Sequence, residues 1–374
     1  MTDATQPALS EDDALAIERR FPALRGRLPR LRCTTLPTRV QPLTHLGKHL
    51  GVDRLWMKRD DESAASYGGN KPRKLEFLLG DALAHDKRAV LTVGGIGTHH
   101  GLATAIYARA AGLRTILLLL RQPVTEHVRR CLLLDYAAGA ELHYASSVPG
   151  LAVRGLRVCA RELLRGEIPY IIPTGGTSAL GTLGYVNAAF ELQEQIAAGV
   201  LPEPDWIFVP LGSGGTAAGL VLGTKLAGLR SRIAAVLVTD ILPPTRARLA
   251  RLATKSLAIL RQHADLPQLQ LEADDFTIIP GYVGPAYGAP TGSARAARDT
   301  MLELEGVRLE TTYSAKCLAA LLDAAGRAEF RSACVMFWNT YNSRDPEVQL
   351  PPLPDFCRLP RPFHQFFTGA AVPA

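Results

Sequence analysis

The stretch YGGNKPRKLEFLLGDAL, from Tyr67 to Leu83, places two glycines and an asparagine directly before a lysine and then continues in a helical pattern. Glycine lets a backbone approach other groups closely or adopt a positive φ. Lys71 therefore follows a turn of unusual conformational freedom. A lysine becomes nucleophilic when desolvation or a neighbouring cation lowers its pKa, and Arg73 and Lys74 stand close in sequence. The pattern indicates a lysine that forms a Schiff base.

A second glycine-rich turn, PLGSGGTAAGL, follows the apolar stretch DWIFV and leads into an alanine- and leucine-rich helix. Converging backbone N–H groups and a helix N-terminus favour a phosphate or carboxylate there, although a tight turn without a ligand is the alternative. A phosphate site together with a Schiff-base lysine predicts pyridoxal phosphate, with its aldehyde on Lys71. The predicted phosphate loop consists of Gly212, Ser213, Gly214, Gly215 and Thr216.

A third turn, VGGIGTHHG from Val93 to Gly101, also lies between a strand pattern and a helix pattern. Thr98 suits the helix N-cap, so a substrate carboxylate is predicted beside it. His99 and His100 are candidates for substrate binding, with surface positions as the alternative. Neighbouring side chains on a helix face different directions, and the sequence places no third ligand nearby, so no metal site is predicted.

Short apolar runs alternate with helical patterns along most of the chain. The runs are apolar nearly throughout, which is typical of parallel strands covered on both faces. We therefore predict an α/β fold with parallel-rich, twisted sheets flanked by helices, in two domains with a cleft between them. The predicted strands lie within 88–95, 114–120, 168–173, 205–212, 232–240 and 332–340.

Composition narrows the function classes. The chain has 374 residues, 47% of them hydrophobic, and a formal charge of +7 that is spread without a basic patch, so we predict no nucleic-acid partner. Six isolated cysteines suggest reduced thiols in a cytoplasm. The acidic, polar N-terminal stretch predicts no signal peptide, and no apolar run is long enough to span a bilayer, so no membrane association is expected.

Several segments together resemble one enzyme family. They are LWMKRDDESAASYGGNKPRKLEFLLGDAL, GGIGTHHGLATA, RQPVTEHVRRCLLLDYAAGAEL, PTGGTSALGTLGYVNAAFEL, GSGGTAAGL, GYVGPAYGAP and RLETTYSAKCLAALL. In this order they resemble the D-cysteine desulfhydrase and 1-aminocyclopropane-1-carboxylate deaminase family of fold-type II, tryptophan-synthase-β-like pyridoxal-phosphate enzymes. The resemblance runs from about Leu31 to Thr340.

The resemblance implies a domain division and site roles. A large cofactor-binding domain is expected from 1–73 and 179–374, with 346–374 a proline-rich tail, and a small domain from 74–178. The cofactor is expected in the cleft between them. Lys71 matches the Schiff-base lysine, with Asn70 placed to hydrogen-bond near it. Tyr287 and Tyr313 match two active-site tyrosines that contact the substrate and transfer protons.

Three positions depart from the family pattern or vary within it. Ser314 aligns with the residue that faces the pyridine nitrogen, a glutamate in typical deaminases and usually a threonine in desulfhydrases. A hydroxyl there would leave the ring nitrogen unprotonated, a weaker electron sink that favours prompt loss of a β-leaving group. His99 occupies the position of an asparagine that contacts the cofactor's 3′-oxygen. The family's His-Thr-Gly-Gly segment becomes Asn339 to Asn342.

These observations predict a cytoplasmic pyridoxal-phosphate lyase that acts on a small amino acid by β-elimination, giving a 2-oxo acid and ammonia. Cyclopropane-ring deamination is the alternative within the class, and Ser314 disfavours it. A cofactor-binding protein without turnover is the alternative outside it, supported by the altered loop from Thr98 to His100. A homodimer is usual in the family and is expected here.

Overall fold

A computed structural model of the chain describes residues 14–370. Within these residues the ten strands form two sheets, one of six strands and one of four. The strands are β1 Val40–Pro42, β2 Arg54–Lys58, β3 Ala89–Gly95, β4 Arg114–Leu120, β5 Glu141–Ala145, β6 Tyr170–Ile172, β7 Trp206–Leu211, β8 Arg232–Leu237, β9 Thr277–Ile279 and β10 Cys334–Trp338.

Twelve α-helices flank these sheets in the described part of the chain. They are α1 Ala16–Arg20, α2 Thr44–Leu50, α3 Lys71–Ala84, α4 His99–Ala110, α5 Glu126–Ala137, α6 Val148–Leu164, α7 Ala179–Ala197, α8 Gly215–Ala227, α9 Arg246–Arg261, α10 Gly292–Glu305, α11 Ser314–Ala325 and α12 Ala328–Arg331. None of them combines the length and the apolar character that crossing a bilayer requires.

The six-stranded sheet has the order β1-β2-β10-β7-β8-β9, and the four-stranded sheet has the order β5-β4-β3-β6. All neighbouring strands are parallel except β1 and β2, which pair antiparallel. Central strands such as β7 and β10 are buried almost throughout, because helices cover both faces of each sheet. The predicted α/β fold with parallel-rich sheets is confirmed. The short strands β1, β2, β5 and β9 lack a long apolar run and were not predicted.

All strands of the smaller sheet lie between residues 89 and 172, and all strands of the larger sheet lie outside that range. The domain boundaries at 73/74 and 178/179 stay a prediction. The proline-rich tail, expected with the large domain, forms short 3₁₀ helices up to residue 366. Its Leu359, Phe363 and Phe366 are buried in the apolar cluster that contains residues of α4, α5 and the smaller sheet.

A buried network of charged and polar groups anchors the first turn of α3. The Arg73 guanidinium donates to both carboxylate oxygens of Asp60, at 2.7 and 3.0 Å, and to Glu191 on α7 at 2.9 and 3.0 Å. Trp338 at the end of β10 donates to Asp60 at 2.7 Å. Because Arg73, Asp60 and Glu191 are buried and paired, removal of any of these three would leave an uncompensated charge. The network therefore holds α3 against the larger sheet in the same turn that contains Lys71.

Candidate active site

The Gly68–Gly69 turn passes tightly against other backbone. A Cβ on Gly68 would lie 2.0 Å from the Asp61 carbonyl oxygen, and one on Gly69 would lie 2.8 Å from the Thr340 carbonyl oxygen. Gly69 also has a φ of +87°, which L side chains rarely adopt. The two glycines thus allow the turn to fit between the segments that follow β2 and β10, and this fit places Lys71 at the carboxyl edge of the larger sheet.

Lys71 has the environment of a reactive amine. Its Nζ donates to Asn70 Oδ1 at 2.6 Å, and Asn70 Nδ2 donates to Thr216 Oγ1 at 3.1 Å, which links the lysine to the second glycine-rich turn. Burial lowers the pKa of Lys71 to about 8, and the negative charge of Glu310 partly opposes this shift. A substantial fraction of the amine is therefore neutral near physiological pH.

Arg73 and Lys74 were expected to lower the pKa of Lys71 by their positive charge, and the structure gives them different roles. Arg73 is bonded to two carboxylates, so its charge is compensated and burial is the main cause of the lowered Lys71 pKa. Lys74 lies one turn after Lys71, is 2% exposed and lines the same cavity. Burial, and then the charge of Lys71, lower the pKa of Lys74 well below its ordinary value.

The turn from β7 to α8 has no side-chain cap among the described residues. Gly214 stands at the N-cap of α8 with a φ of +100°, and as a glycine it has no side chain that could cap the helix. A Cβ on Gly215 would lie 3.1 Å from Lys74 Nζ and 2.9 Å from Thr177 Oγ1, so a side chain there would fill this pocket. The cavity wall includes Gly212, Ser213, Gly214 and Thr216.

Several donors of the turn between β3 and α4 are already used. Gly97 N–H donates to Gln122 Oε1 at 3.2 Å. The Thr98 hydroxyl caps α4 by accepting from Gly101 N–H at 3.0 Å. Gly97 and Thr98 both line the cavity. The predicted helix cap at Thr98 is present, while the predicted substrate carboxylate beside it stays a prediction.

His99 and His100 have different surroundings. His99 Nδ1 lies 2.5 Å from the Tyr67 hydroxyl, and its Nε2 lies 2.9 Å from Nε2 of His127 on α5. His100 is 5% exposed, and its Nε2 lies 3.0 Å from the Thr92 hydroxyl on β3. Burial lowers the pKa of His99 well below its usual range and that of His100 to about 3, so both imidazoles are neutral.

Tyr287 and Tyr313 are brought together although 26 residues separate them. Their hydroxyls share a hydrogen bond, and both rings line the cavity. Lys71 Nζ lies 5.8 Å from the centre of the Tyr313 ring. Burial raises the pKa of both phenols, so both are protonated and able to donate at neutral pH.

Ser314 is fully buried and does not line the cavity. Its hydroxyl donates to Glu310 Oε1 at 3.0 Å and accepts from Glu310 N–H at 3.1 Å. The Glu310 carboxylate also accepts from the backbone N–H groups of Thr312, Tyr313 and Ser314, which start α11. The serine proton is therefore directed at Glu310, and it is Glu310 that lines the cavity at this point.

Sequence reasoning missed three contributors to the site. Lys74 was considered only as a neighbouring charge, although a residue three positions after Lys71 lies on the same helix face. Glu310 had the signal of an acidic residue just before a helix, which favours capping. His127 belongs to a different helix from His99, and nothing in the local sequence relates the two.

The site residues line a cavity of about 410 Å³ that receives walls from both sheets. A neighbouring cavity of about 570 Å³ shares part of this wall, namely Tyr67, His99, His127, Arg298, Leu309, Tyr341 and Asn342. Five arginines contribute to the second cavity: Arg59, Arg130, Arg298, Arg308 and Arg344. Each volume lies within the range of about 300–1,000 Å³ that is typical of small-molecule and cofactor sites.

Comparisons with known proteins agree with this geometry. Residues 34–340 match the family described as "Pyridoxal-phosphate dependent enzyme". The sequence is 33% identical to a D-cysteine desulfhydrase of Klebsiella pneumoniae (strain 342), covering 82% of this chain and 91% of that one. It is 35% identical to the nocardicin C-9′ epimerase of Nocardia uniformis subsp. tsuyamanensis, covering 88% and 97%. The crystal structure of an ACC deaminase homologue superposes with a TM-score of 0.73 at 29% identity, covering 86% and 93%.

Proposed function

Because the chain belongs to the pyridoxal-phosphate dependent enzyme family, we propose that it is a lyase that removes a β-substituent from a small amino acid and gives a 2-oxo acid and ammonia. The observation that supports this most directly is the Lys71 amine, with its pKa lowered to about 8, hydrogen-bonded through Asn70 to the uncapped turn of α8. The likeness to D-cysteine desulfhydrase favours a thiol as the leaving group.

The residues present fit pyridoxal phosphate. The uncapped N-terminus of α8 offers backbone N–H donors to a phosphate, and Lys74 adds a buried amine beside them, whose charged form a bound phosphate would favour. Lys71 is the amine for the cofactor aldehyde, and Asn70 orients it. When bound, the cofactor supplies an aldehyde that condenses with amines and a ring that withdraws electrons from the substrate Cα.

Residues of this chain are assigned to the proton transfers and to binding of the substrate carboxylate. A neutral Lys71 amine is suited to accept the proton from the substrate Cα. The Tyr287–Tyr313 pair is suited to donate a proton to a departing group, because both phenols stay protonated at neutral pH. We assign the substrate carboxylate to the turn at Thr98, with His99 and His100 behind it.

Two measurements test this assignment. The first screens amino acids of both chiralities for coupled release of a 2-oxo acid and ammonia, where D-cysteine is expected among the best substrates. The second reduces the protein with borohydride and maps the labelled lysine. Lys71→Ala is expected to abolish covalent labelling and to lower turnover by about 10²–10⁴-fold, whereas Lys255→Ala, an exposed lysine on α9, serves as the control. Labelling of another lysine in Lys71→Ala would contradict the assignment.

Epimerisation at Cα is a second candidate, supported by the epimerase relative and by the space beyond His99. The second cavity would admit a side chain larger than that of cysteine. An epimerase would exchange the Cα hydrogen of its substrate with deuterated solvent and interconvert the D and L forms without releasing ammonia. Ammonia release in equal amount to substrate loss would exclude this candidate.

Ring opening of 1-aminocyclopropane-1-carboxylate remains the alternative within the same chemistry. The predicted contact between Ser314 and the pyridine nitrogen disfavours ring opening, because a hydroxyl donor at that nitrogen favours elimination. In the present geometry Ser314 would have to release Glu310 to make that contact. Ser314→Glu is expected to reduce β-elimination relative to ring opening, and the ratio of the two activities measures this shift.

We further propose that the enzyme is a cytoplasmic homodimer that binds a small amino acid. All six cysteines are free thiols, which suits a reducing compartment. The α6 helix exposes apolar side chains, among them Leu156 at 72% and Leu164 at 90%, which a second copy would cover. Sedimentation analysis tests the dimer, and a monomer at micromolar concentration would contradict it.

A further inference from the structure

The wall between the two cavities contains a cluster of three metal-ligating side chains. His99 begins α4, His127 lies in the first turn of α5, and Cys131 follows it one turn later on the same helix face. One ligand atom from each residue lies within 4.8 Å of the other two. Sequence reasoning excluded a metal for want of a third ligand near His99, and the packing of α5 against α4 provides two.

The separations suit coordination of a common ion. His99 Nε2 and His127 Nε2 are 2.9 Å apart, and His127 Nε2 and Cys131 Sγ are 3.6 Å apart. Tetrahedral zinc, with its usual bond lengths to nitrogen and sulfur, separates such ligand atoms by about 3.3–3.8 Å. The His127–Cys131 separation already lies in this range, the two imidazole nitrogens would move apart by a few tenths of an ångström, and the His99 and Cys131 ligand atoms, within 4.8 Å of each other, would approach to within it.

The surroundings orient the ligands as outer-shell groups do in metal sites. The Tyr67 hydroxyl lies 2.5 Å from His99 Nδ1, which leaves Nε2 of that ring to face the cluster. The two imidazoles stack with centroids 4.9 Å apart and planes inclined by 29°. Tyr341 packs edge-on against His99 and restricts its rotation.

Asp135 provides an independent observation. It lies one turn beyond Cys131 on α5 and is fully buried. Neither of its carboxylate oxygens has a hydrogen-bond partner among the described residues. Burial without a partner raises the pKa of Asp135 well above its ordinary value and favours the protonated carboxyl, whereas a nearby cation would favour the carboxylate and be balanced by it.

We propose that His99, His127 and Cys131 bind a divalent ion of the zinc class, with Asp135 as the neighbouring counter-charge. Three protein ligands leave a fourth position open, which is the arrangement of catalytic rather than structural zinc sites. On binding, each ligand supplies an electron pair, the Cys131 thiol proton passes to solvent, and the proton between the two imidazole Nε2 atoms moves to Nδ1 of its own ring, so both histidines stay neutral.

The open position has access to substrate, because His99 and His127 line the cavity that contains Lys71. Resting on the proposed function, we assign the ion to the departing sulfur or oxygen of the substrate, whose developing negative charge it would stabilise. The role of the ion in catalysis can be tested separately from its binding. Zinc binding is measured without substrate, whereas the catalytic role is measured by turnover.

The test uses the full-chain holoenzyme after treatment with a chelator. Zinc is titrated in competition with a chromophoric chelator, and cobalt(II) is then added in place of zinc to reveal a thiolate charge-transfer band. Wild type is expected to bind one zinc per chain and to show the band. Cys131→Ser and His127→Ala are expected to weaken zinc binding at least about tenfold, and Cys131→Ser is expected to lose the band.

Matched controls come from the same chain. Cys159→Ser and His143→Ala change a cysteine and a histidine outside the cluster and should bind zinc as wild type does. Cys131→Ala is a second variant in case serine disturbs this buried position. Absence of stoichiometric binding in wild type, or undiminished binding in the cluster variants, would overturn the proposed site. Binding without any release of 2-oxo acid would instead contradict the proposed function and leave the site intact.

Discussion

Two glycine-rich turns line the same cavity, and each connects a buried parallel strand to the N-terminus of a helix. In the turn from β3 to α4, the Thr98 hydroxyl caps the helix and Gln122 binds the Gly97 N–H. In the turn from β7 to α8, the N-cap is Gly214, which has no side chain, and Lys74 lies beside the turn. Similar sequence patterns therefore produce one turn whose helix has a side-chain cap and one whose helix has none among the described residues. The difference shows that a side-chain cap decides how much of a helix N-terminus is left for an anion.

The largest effect is expected at Lys74, whose amine lies beside the turn before α8 and donates to the Gly175 carbonyl oxygen at 3.2 Å. Lys74→Ala removes a buried amine beside the predicted phosphate position and should weaken cofactor affinity by about 10–100-fold, the range for a hydrogen bond to a charged phosphate. Fluorescence titration of the apoprotein with pyridoxal phosphate measures the change. Lys255→Ala on α9 is the control. An unchanged affinity in Lys74→Ala would mean that the phosphate does not bind at this turn.

The Lys71 amine predicts a pH dependence for covalent capture of the cofactor. Only the neutral amine attacks an aldehyde, and burial lowers the pKa of Lys71 to about 8. The capture rate should therefore rise about tenfold per pH unit below 8 and level off above it. The ratio of this rate to the rate for free Nα-acetyl-lysine cancels the cofactor's own titration, and because the free amine has a pKa of about 10.4, the ratio should be constant below pH 8 and fall above it. A rate that keeps rising toward pH 10 would indicate an unperturbed lysine.

The glycines of the two turns can be compared directly. Gly214→Ala places a side chain at a φ of +100° and 2.6 Å from Leu249 Cδ2. We therefore expect the free energy of cofactor binding or the free energy of unfolding to become less favourable by about 1–2 kcal/mol. Gly97→Ala at the other turn has no positive φ and meets mainly side-chain atoms of Val128 and Gln122. Its effect on cofactor affinity should be smaller. Equal losses of cofactor affinity in the two variants would contradict the assignment of the phosphate to the turn before α8.

The smallest effect is expected from removing the cap of α4. Thr98→Ala leaves the Gly101 N–H without its acceptor and should lower the free energy of unfolding by about 1 kcal/mol. Cofactor affinity should stay the same, because the phosphate is assigned to the other turn. Chemical denaturation and cofactor titration of the same variant check both statements, and a loss of affinity without a loss of stability would reverse the assignment.

Local sequence patterns determined much of the fold. Apolar runs for β3, β4, β6, β7, β8 and β10 predicted parallel strands, and the structure has all six. The shorter strands β1 and β9 have only three residues and depend on their neighbours for pairing, so their sequences are not distinctive. Long buried strands are predictable because burial on both faces demands an apolar residue at nearly every position.

The sequence by itself determined the chemistry that is available: a lysine after two glycines, a glycine-rich turn for an anion, and two tyrosines within motifs shared with a known family. Only the tertiary structure decided which groups are free to act. The Arg73 charge is compensated by Asp60 and Glu191, and the Ser314 hydroxyl is bonded to Glu310. His99 meets His127 and Cys131 only because α5 packs against α4. Charge compensation and hydrogen bonding depend on distances between segments far apart in the chain, and local patterns contain no information about those distances.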